Sequence, residues 1–169
     1  MIQLVKPQLK YKDSFYEAIA EFEKEEKGYS DFFNGFENKF DEFILKLENA
    51  EKGIGLEEGY VPYTYMFLVD DDKYIGTVSI RHKLNDILKK EGGHIGYDVR
   101  PSERRKGYGT MILKLSLLIA KQIGLDRVMI TCDDNNVASW KIMEKNGAVL
   151  DEKYDYKGRF KRRYWIDII

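Results

Sequence analysis

Basic residues and glycines that could hold a phosphate group stand together in the second half of the chain. The run Arg104-Arg105-Lys106-Gly107-Tyr108-Gly109 has R-x-x-G-x-G spacing and precedes an amphipathic stretch with helical periodicity. A glycine-spaced loop that enters a helix exposes unpaired backbone N–H groups at the positive end of the helix dipole. Because such groups attract phosphate or pyrophosphate, the spacing predicts an anion-binding loop.

Two better-known anion-binding loops do not fit these residues. A P-loop requires G-x-x-x-x-G-K-[ST], and no Lys-Ser or Lys-Thr follows a second glycine here. A dinucleotide fingerprint requires a third glycine, where this chain has Ile112. R-x-x-G-x-G alone is a weak pattern, so the interpretation depends on the elements around it.

The elements around the loop predict a strand, a helix and a second strand. Residues 94–100 are predicted as a strand, residues 108–124 as a helix and residues 127–132 as a buried strand. The apolar positions that define the helix face are Tyr108, Met111, Ile112, Leu115, Leu118 and Ile119. Such a parallel crossover unit places the helix N-terminus at the carboxyl end of the first strand.

The preceding half of the chain predicts an edge strand, two helices and a hairpin. Residues 1–8 form the edge strand, closed by Pro7. Ser14 and Glu17 have capping-box spacing at the start of a helix that stops at Gly28. A second helix runs from about residue 36 to Gly53. The next elements are a loop at 50–61, a hairpin of strands 63–70 and 74–83, and a short helix at 84–90.

The C-terminal part predicts a last helix and two strands. Asn135 or Asn136 caps the helix, which ends at Asn146-Gly147, and the strands turn at Lys157-Gly158. The final strand, residues 163–169, is apolar enough to extend a sheet across the subunits of a homodimer. It is equally compatible with a central strand.

Composition favours one compact domain over residues 1–169. The chain is 43% hydrophobic and 14% aromatic, which argues against disorder. Lysine plus arginine (28) balances aspartate plus glutamate (29), so no basic field favours nucleic acid. Cys132 is expected to be a buried core thiol, and no His/Cys cluster has metal spacing. With neither a signal peptide nor a membrane segment expected, the predicted location is cytoplasmic.

The order of these motifs resembles the GNAT superfamily of acyl-CoA-dependent N-acetyltransferases. The detailed match covers about residues 94–150, and the residues that carry it include Gly96-Tyr97-Asp98-Val99-Arg100-Pro101, the R-x-x-G-x-G loop, Asn136-Val137-Ala138-Ser139 and Glu144-Lys145-Asn146-Gly147. The resemblance implies an α+β, three-layer fold. Its mixed, mostly antiparallel sheet would have about seven strands, with helices on both faces.

The resemblance also implies acetyl-CoA as the cosubstrate, with its pyrophosphate on the loop amides and its pantetheine arm in a gap beside the strand that ends at Val99. The cofactor-binding residues are then Tyr97, Asp98, Val99, Arg104, Arg105, Lys106, Gly107, Tyr108, Gly109, Thr110, Asn136 and Ser139. Simpler roles stay open for several of them. The glycines fit a turn and close packing, Asn136 fits an N-cap, and Arg104 and Lys106 fit surface charges.

Catalysis by such an enzyme needs a group that stabilises the oxyanion and a base that accepts the amine proton. The N–H of Val99 is the candidate for the first role. His94 is the first candidate for the base and His82 the second, each with the alternative of a structural histidine; Asp98 and Glu91 are further candidates.

The departing thiolate also needs a proton donor, a general acid, or must leave unaided. Many relatives carry a tyrosine in the last helix, where this chain has Met143. Methionine cannot donate a proton, so either the thiolate leaves unaided or Tyr97 or a water protonates it.

The predicted reaction is transfer of an acetyl group to a primary amine by direct attack within a ternary complex. The acceptor is a small-molecule or peptide amine that the sequence does not specify. An aromatic group was available to shape its pocket: Tyr29, Phe32, Phe33, Phe36, Tyr60, Tyr63 and Tyr65. Met143 and the uncertain base leave one alternative, a catalytically weak acyl-CoA-binding sensor or interaction module.

Overall fold

The computed structural model of the protein describes residues 1–33, 36 and 39–168, without the side chains of Asp31 and Phe32. Within these residues the seven strands are β1 (Ile2–Val5), β2 (Tyr63–Asp70), β3 (Lys73–Arg81), β4 (Ile95–Val99), β5 (Arg127–Asp133), β6 (Val149–Tyr156) and β7 (Arg159–Asp167). They form two antiparallel sheets, in the orders β1-β2-β3-β4 and β5-β7-β6. The predicted α+β fold of seven strands is confirmed.

Helices cover both faces of the first sheet, as predicted. The described α-helices are α1 (Lys12–Glu25), α2 (Phe40–Glu51), α3 (Asp86–Lys90), α4 (Tyr108–Ile123) and α5 (Val137–Lys145). Helices α1 and α2 pack on one face of the first sheet, and α4 packs on the other. Helix α5 lies beside α4 and β5.

Strand β2 separates two hydrophobic cores because its side chains alternate between the faces. Phe67 and Val69 belong to an aromatic core under α1 and α2, where the ring of Phe15 stacks on Phe67 at a centroid distance of 5.1 Å. Met66 and Leu68 belong to the aliphatic core under α4, which continues into β5 and β7. The aliphatic core is therefore common to both sheets.

The two sheets meet where β4 begins, through His94. Its backbone N–H donates to the carbonyl of Met129 at 2.7 Å, and its ring Nδ1 accepts from the Met129 N–H at 2.9 Å. Beyond this point β4 pairs with β3, and no ladder joins β4 to β5 in the described residues. The predicted gap between β4 and β5 is therefore present, on the side of β4 that leads to Val99.

The first helix begins differently from the prediction. Helix α1 starts at Lys12, and the preceding Tyr11 makes no side-chain cap. The Ser14 hydroxyl oxygen instead accepts from the backbone N–H of Tyr74, at 3.0 Å. The capping-box prediction is wrong, because Ser14 lies inside the helix and its hydroxyl oxygen is hydrogen-bonded to Tyr74, which is distant in sequence. The predicted buried face of this helix, Phe15, Ala18, Ile19 and Phe22, is confirmed.

The buried face predicted for the helix after the loop is also partly wrong. Helix α4 buries Ile112, Leu113, Ser116 and Ala120. Met111 and Leu118, which were expected inside, are 37% and 59% exposed. This helix is apolar on most of its circumference, so periodicity alone does not define its inner face; the close approach to β3 and β4 selects the small Ser116 and Ala120.

The other elements agree well with their predicted positions. The turns at Asp71 and at Lys157-Gly158 have left-handed backbone conformations, as tight hairpins require. The second helix begins at Phe40, later than expected, and residues 37 and 38 lie outside the described residues. Strand β7 is central, between β5 and β6, so it offers no free edge for a homodimer. Residue 169 of that predicted strand also lies outside the described residues.

Across the described residues, every helix is too short or too polar to span a lipid bilayer. In the same part of the chain, no three His, Cys, Asp or Glu side chains gather into a potential metal site.

We predict that Gly93→Ala lowers the free energy of unfolding by about 3 kcal/mol. Gly93 has a φ of 63°, and a Cβ there would overlap the carbonyl oxygen of Met129, which forces the joined ends of β4 and β5 apart. Gly124 has a φ of 95° with open space around it, so Gly124→Ala is the matched control and should lose about 1 kcal/mol. Urea unfolding measures both; equal losses would contradict the role of Gly93.

Candidate active site

A cleft of about 670 Å³ opens between the end of β4, the loop after it and the first turns of α4 and α5. Its walls are formed by Tyr97, Asp98, Val99, Glu103, Arg104, Arg105, Gly107, Tyr108, Gly109, Thr110, Asn136, Ala138, Ser139, Lys141, Ile142 and Lys145. The structure thus brings all the predicted cofactor-binding residues together except Lys106. The volume is in the usual range of small-molecule sites.

The loop before α4 presents backbone N–H groups to this cleft. Arg105 and Gly107 have left-handed backbone conformations, with φ of 64° and 87°. The N–H groups of residues 105–110 have no acceptor in the part of the chain that the structure describes, and the first N–H bonded within the helix is that of Met111, to Gly107. A row of free donors at a helix N-terminus favours an anion.

A buried carboxylate holds this loop in place. Glu103, whose side chain is 5% exposed, forms ion pairs with Lys73 and Lys106, the latter at 2.9 Å. Hydrogen bonds from these two lysines lower the pKa of Glu103, so it stays charged. Lys106, predicted either to steer phosphate or to be a surface charge, is instead paired with Glu103.

Arg104 also bonds to the protein rather than pointing freely into the cleft. Its Nε donates to the carbonyl of Val99 at 3.1 Å, and its guanidinium contacts Glu25 of α1 at 2.7 Å. The side chain ties the end of β4 to α1.

Arg100 anchors the same end of β4, which the sequence analysis did not anticipate. Its guanidinium is buried, donates to Glu21 at 2.7 Å and contacts Glu17 at 3.3 Å. Burial opposes the charge on Glu21, but the hydrogen bonds from Arg100 and Ser102 outweigh it and lower the pKa of Glu21 to about 2. Two arginines thus fix the loop to one helix.

The free edge of β4 lies along the cleft. The Arg100 N–H points to β3, where it donates to Ile75 at 2.8 Å. Because successive backbone groups of a strand point to opposite edges, the N–H groups of Tyr97 and Val99 point away from β3, toward β5. These groups can pair with an extended ligand, as an added strand would.

Helix α5 closes the other side of the cleft. Gly109 allows the two helices to approach, because a Cβ there would lie 2.6 Å from Cδ1 of Ile142. The sequence analysis missed the cleft-lining face of α5, formed by Ala138, Lys141, Ile142 and Lys145. Their i, i+3, i+4, i+7 spacing is a readable helical signal, and two of them are basic.

Asn136 is the N-cap of α5. Its side-chain oxygen accepts from the backbone N–H of Ser139 at 3.1 Å, as expected for a helix cap. The residue also lines the cleft, so capping and ligand contact are compatible here.

Tyr97 reaches from β4 to the same turn of α5. Its hydroxyl lies 3.3 Å from the Ser139 hydroxyl. Burial raises the pKa of Tyr97 to about 12, so the phenol keeps its proton at neutral pH. Met143 is 1% exposed and belongs to the core.

The structure does not bring the two histidines to Val99. His94 lies five residues earlier, about 16 Å along the strand, and its Nδ1 is occupied by the Met129 N–H. His82 contacts Thr64 at 2.9 Å, beyond the far end of β3. Burial lowers the pKa of both imidazoles. These contacts agree with the structural alternative for each histidine.

Asp98 has the most suitable environment for a base among the predicted candidates. Tyr97 and Val99 face α4 and α5, so the Asp98 side chain faces α1 and α2, where Tyr29 and Tyr65 are its electrostatic neighbours. The Asp98 residue is solvent-exposed, but partial desolvation of its carboxyl group by the surrounding protein raises the pKa of Asp98 to about 6, against the opposing effect of Arg104.

Two other predicted groups are engaged elsewhere. Glu91 pairs with Arg159 and Lys161 at 2.6 and 2.8 Å, and the hydrogen bond from Lys161 lowers its pKa. Cys132 is buried, and burial raises the pKa of its thiol to about 11, as a core thiol requires.

Comparison of the sequence with known families gives a match over most of the chain. The Acetyltransferase (GNAT) domain family matches residues 10–149. The chain belongs to the GNAT acetyltransferase family. It is an acetyl-CoA-dependent N-acetyltransferase, and acetyl-CoA is its cosubstrate. Comparison with curated protein sequences gave no significant match.

Solved structures of GNAT acetyltransferases share the fold. RimL, a ribosomal L7/L12 alpha-N-protein acetyltransferase in complex with coenzyme A, has a TM-score of 0.71 at 14% identity, over 99% of this chain and 94% of that one. The Salmonella typhimurium acetyltransferase that modifies the N-terminal serine of L7/L12 has 0.69 at 15%, over 99% and 95%. The microcin C7 self-immunity acetyltransferase MccE, with acetyl-CoA and AMP, has 0.66 at 19%, over 99% and 92%.

We predict that Asn136→Ala destabilises the protein by about 1 kcal/mol, because the cap of α5 is lost. Asn136→Ser keeps an oxygen acceptor and should stay within about 0.5 kcal/mol of the wild type. Calorimetric titration with coenzyme A should give the same Kd for the serine variant and the wild type. An equal loss of affinity in both variants would indicate that the carboxamide itself contacts the ligand.

Proposed function

We propose that this acetyltransferase transfers the acetyl group to a primary amine by direct attack within a ternary complex. The single observation that carries the proposal is the row of free N–H groups at residues 105–110, which faces a cleft that continues along the open edge of β4. Acetyl-CoA carries a thioester at one end of an extended arm and a diphosphate at the other. The N–H groups of residues 105–110 correspond to the diphosphate, and those on the open edge of β4 correspond to the arm.

The loop amides and the basic residues of α5 bind the anionic part of the cosubstrate. Donors at the start of α4 satisfy phosphate oxygens without moving, because the ion pairs of Glu103 with Lys106 and of Arg104 with Glu25 fix the loop. Lys141 and Lys145 add positive charge on the facing helix.

The N–H groups of Tyr97 and Val99 orient the arm and polarise the thioester carbonyl. Both are free on the open edge of β4, and a preorganised backbone donor needs no rearrangement when negative charge develops. Val99 is the predicted donor for that charge.

Asp98 accepts the proton of the attacking amine. A lysine-like amine has a pKa of about 10.4, so presenting it neutral at pH 7 costs about 4 to 5 kcal/mol unless a base assists. The raised pKa of Asp98, about 6, makes it a better acceptor near neutral pH than an ordinary aspartate. This assignment replaces His94 and His82 in the proposed mechanism.

Tyr97 is the proposed proton donor to the departing sulfur. It lines the cleft, keeps its proton at neutral pH and is oriented by Ser139. It therefore serves in the place of the helix tyrosine that Met143 replaces.

The ligand-binding step is tested by calorimetry with coenzyme A and with pantetheine, which lacks the diphosphate. Coenzyme A is expected to bind at least about 100-fold more tightly, since several charge-assisted hydrogen bonds are lost in pantetheine. Gly107→Val should remove most of this difference by distorting the loop. Gly158→Val is the matched control, because Gly158 also has a positive φ and open surroundings, far from the cleft. Equal binding of both ligands would overturn the proposed loop function.

The catalytic step is tested by the pH dependence of acetyl transfer, followed as thiol release. Because Asp98 must be deprotonated, kcat/KM is expected to rise through about pH 6 and to level off above it. Asp98→Asn should lose this limb and at least about 100-fold in kcat. The control is Asp126→Asn, which changes an exposed aspartate directly before the first residue of β5. It should change neither the pH profile nor kcat. An unchanged profile in Asp98→Asn would exclude Asp98 as the base.

A further inference from the structure

Arg81, at the end of β3, carries a charge that no carboxylate balances. Its guanidinium donates through one nitrogen to the carbonyls of Gly92 and Gly93, at 3.2 and 3.3 Å. It forms no ion pair with any of the acidic side chains that the structure describes in residues 1–33, 36 and 39–168, which exclude that of Asp31. Most of the other arginines near the cleft, such as Arg100 and Arg104, do have acidic partners. The remaining donors of Arg81 are therefore available to an anion.

The guanidinium of Arg81 lies over Gly96, on the same face of the sheet as Asp98. A Cβ at Gly96 would lie 3.4 and 3.6 Å from the two terminal nitrogens of Arg81. Gly96 and Asp98 are two residues apart and face the same side. The unpaired charge is therefore on the order of 7 Å from the proposed base, measured along β4.

Aromatic and aliphatic side chains enclose the space in front of Arg81. A pocket of about 420 Å³ is lined, together with Arg81, by Tyr60, Tyr63, Tyr65, Ile87 and Leu88. Glu58 also lines it, but Glu58 is exposed and makes no ion pair with Arg81. The pocket lies on the α1 and α2 face, so it is separate from the cleft on the α4 and α5 face.

We propose that the acceptor carries, in addition to its amine, an anionic group, a carboxylate or a phosphate, that Arg81 binds in this aromatic pocket. The inference rests on the proposed function, because Asp98 fixes where the amine lies. A guanidinium pairs with either anion through two parallel hydrogen bonds. Two residues of extended chain span about 7 Å, so a peptide N-terminus with a carboxylate at dipeptide distance meets both groups.

The first experiment compares matched acceptors with the wild-type enzyme. Glycyl-phenylalanine and its C-terminal amide differ only in the anionic charge; 3-aminopropyl phosphate and 3-aminopropanol form the second pair. We expect kcat/KM to be about 10- to 100-fold higher for the charged member of at least one pair, and the pair with the larger ratio distinguishes carboxylate from phosphate. Ratios near one in both pairs, with transfer to the uncharged members, would overturn the acceptor inference alone. Binding of coenzyme A without transfer to any amine in a broad panel would instead overturn the proposed function.

The second experiment changes Arg81. Arg81→Met should lower kcat/KM for the charged acceptor about 10- to 100-fold and for its uncharged partner less than about twofold, with an unchanged Kd for coenzyme A. Arg81→Lys should retain part of the preference, because it keeps the charge and loses the paired geometry. Arg127→Met, an exposed arginine on β5, is the control. Equal losses for both acceptors would indicate a structural role and contradict the proposal; if Arg81→Met does not fold, the wild-type comparison decides.

Discussion

The site depends on strand β4 having a hydrogen-bonded neighbour on one side only. Its pairing with β3 fixes the position of the strand, while His94 joins it to β5 at one end and, among the described residues, no second strand pairs with the N–H groups of Tyr97 and Val99. Unpaired backbone groups inside a protein are costly unless a ligand or water satisfies them. In the proposed binding mode, the extended amide-bearing arm of acetyl-CoA satisfies them, and the open edge is then the link between the fold and its ligand.

Ion pairs at the border of the cleft hold this opening in shape. Glu103 fixes the loop through two lysines, and Arg100 and Arg104 connect the end of β4 to acidic residues of α1. None of these contacts consumes the backbone donors of the loop. The protein thus separates the groups that build the loop from the groups that bind, and the donors stay free without leaving the loop unsupported.

The two faces of β4 divide the proposed chemistry. All three residues line the cosubstrate cleft, but the side chains of Tyr97 and Val99 face α4 and α5, whereas alternation along the strand turns the Asp98 side chain toward α1 and α2, near Tyr29 and Tyr65. An amine that approaches from the second face meets the thioester at the gap between the strands. Alternation along a single strand therefore places the base and the oxyanion donor next to each other but on opposite sides of the sheet.

The sequence by itself determined the elements and the cofactor loop, because these depend on local rules. Glycine spacing, apolar periodicity and the turn residues predicted the strands and helices within a few positions, together with an anion-binding loop, whereas the other cofactor-binding residues followed only from the resemblance to a known family and the cleft-lining face of α5 was missed. Only the tertiary structure decided the buried face of α4, the central place of β7, the partner of Ser14 and the separation of His94 and His82 from Val99. Each of these depends on which distant residues pack together: Arg100 finds Glu21 and His94 finds Met129 across long stretches of chain, and no local pattern encodes those contacts.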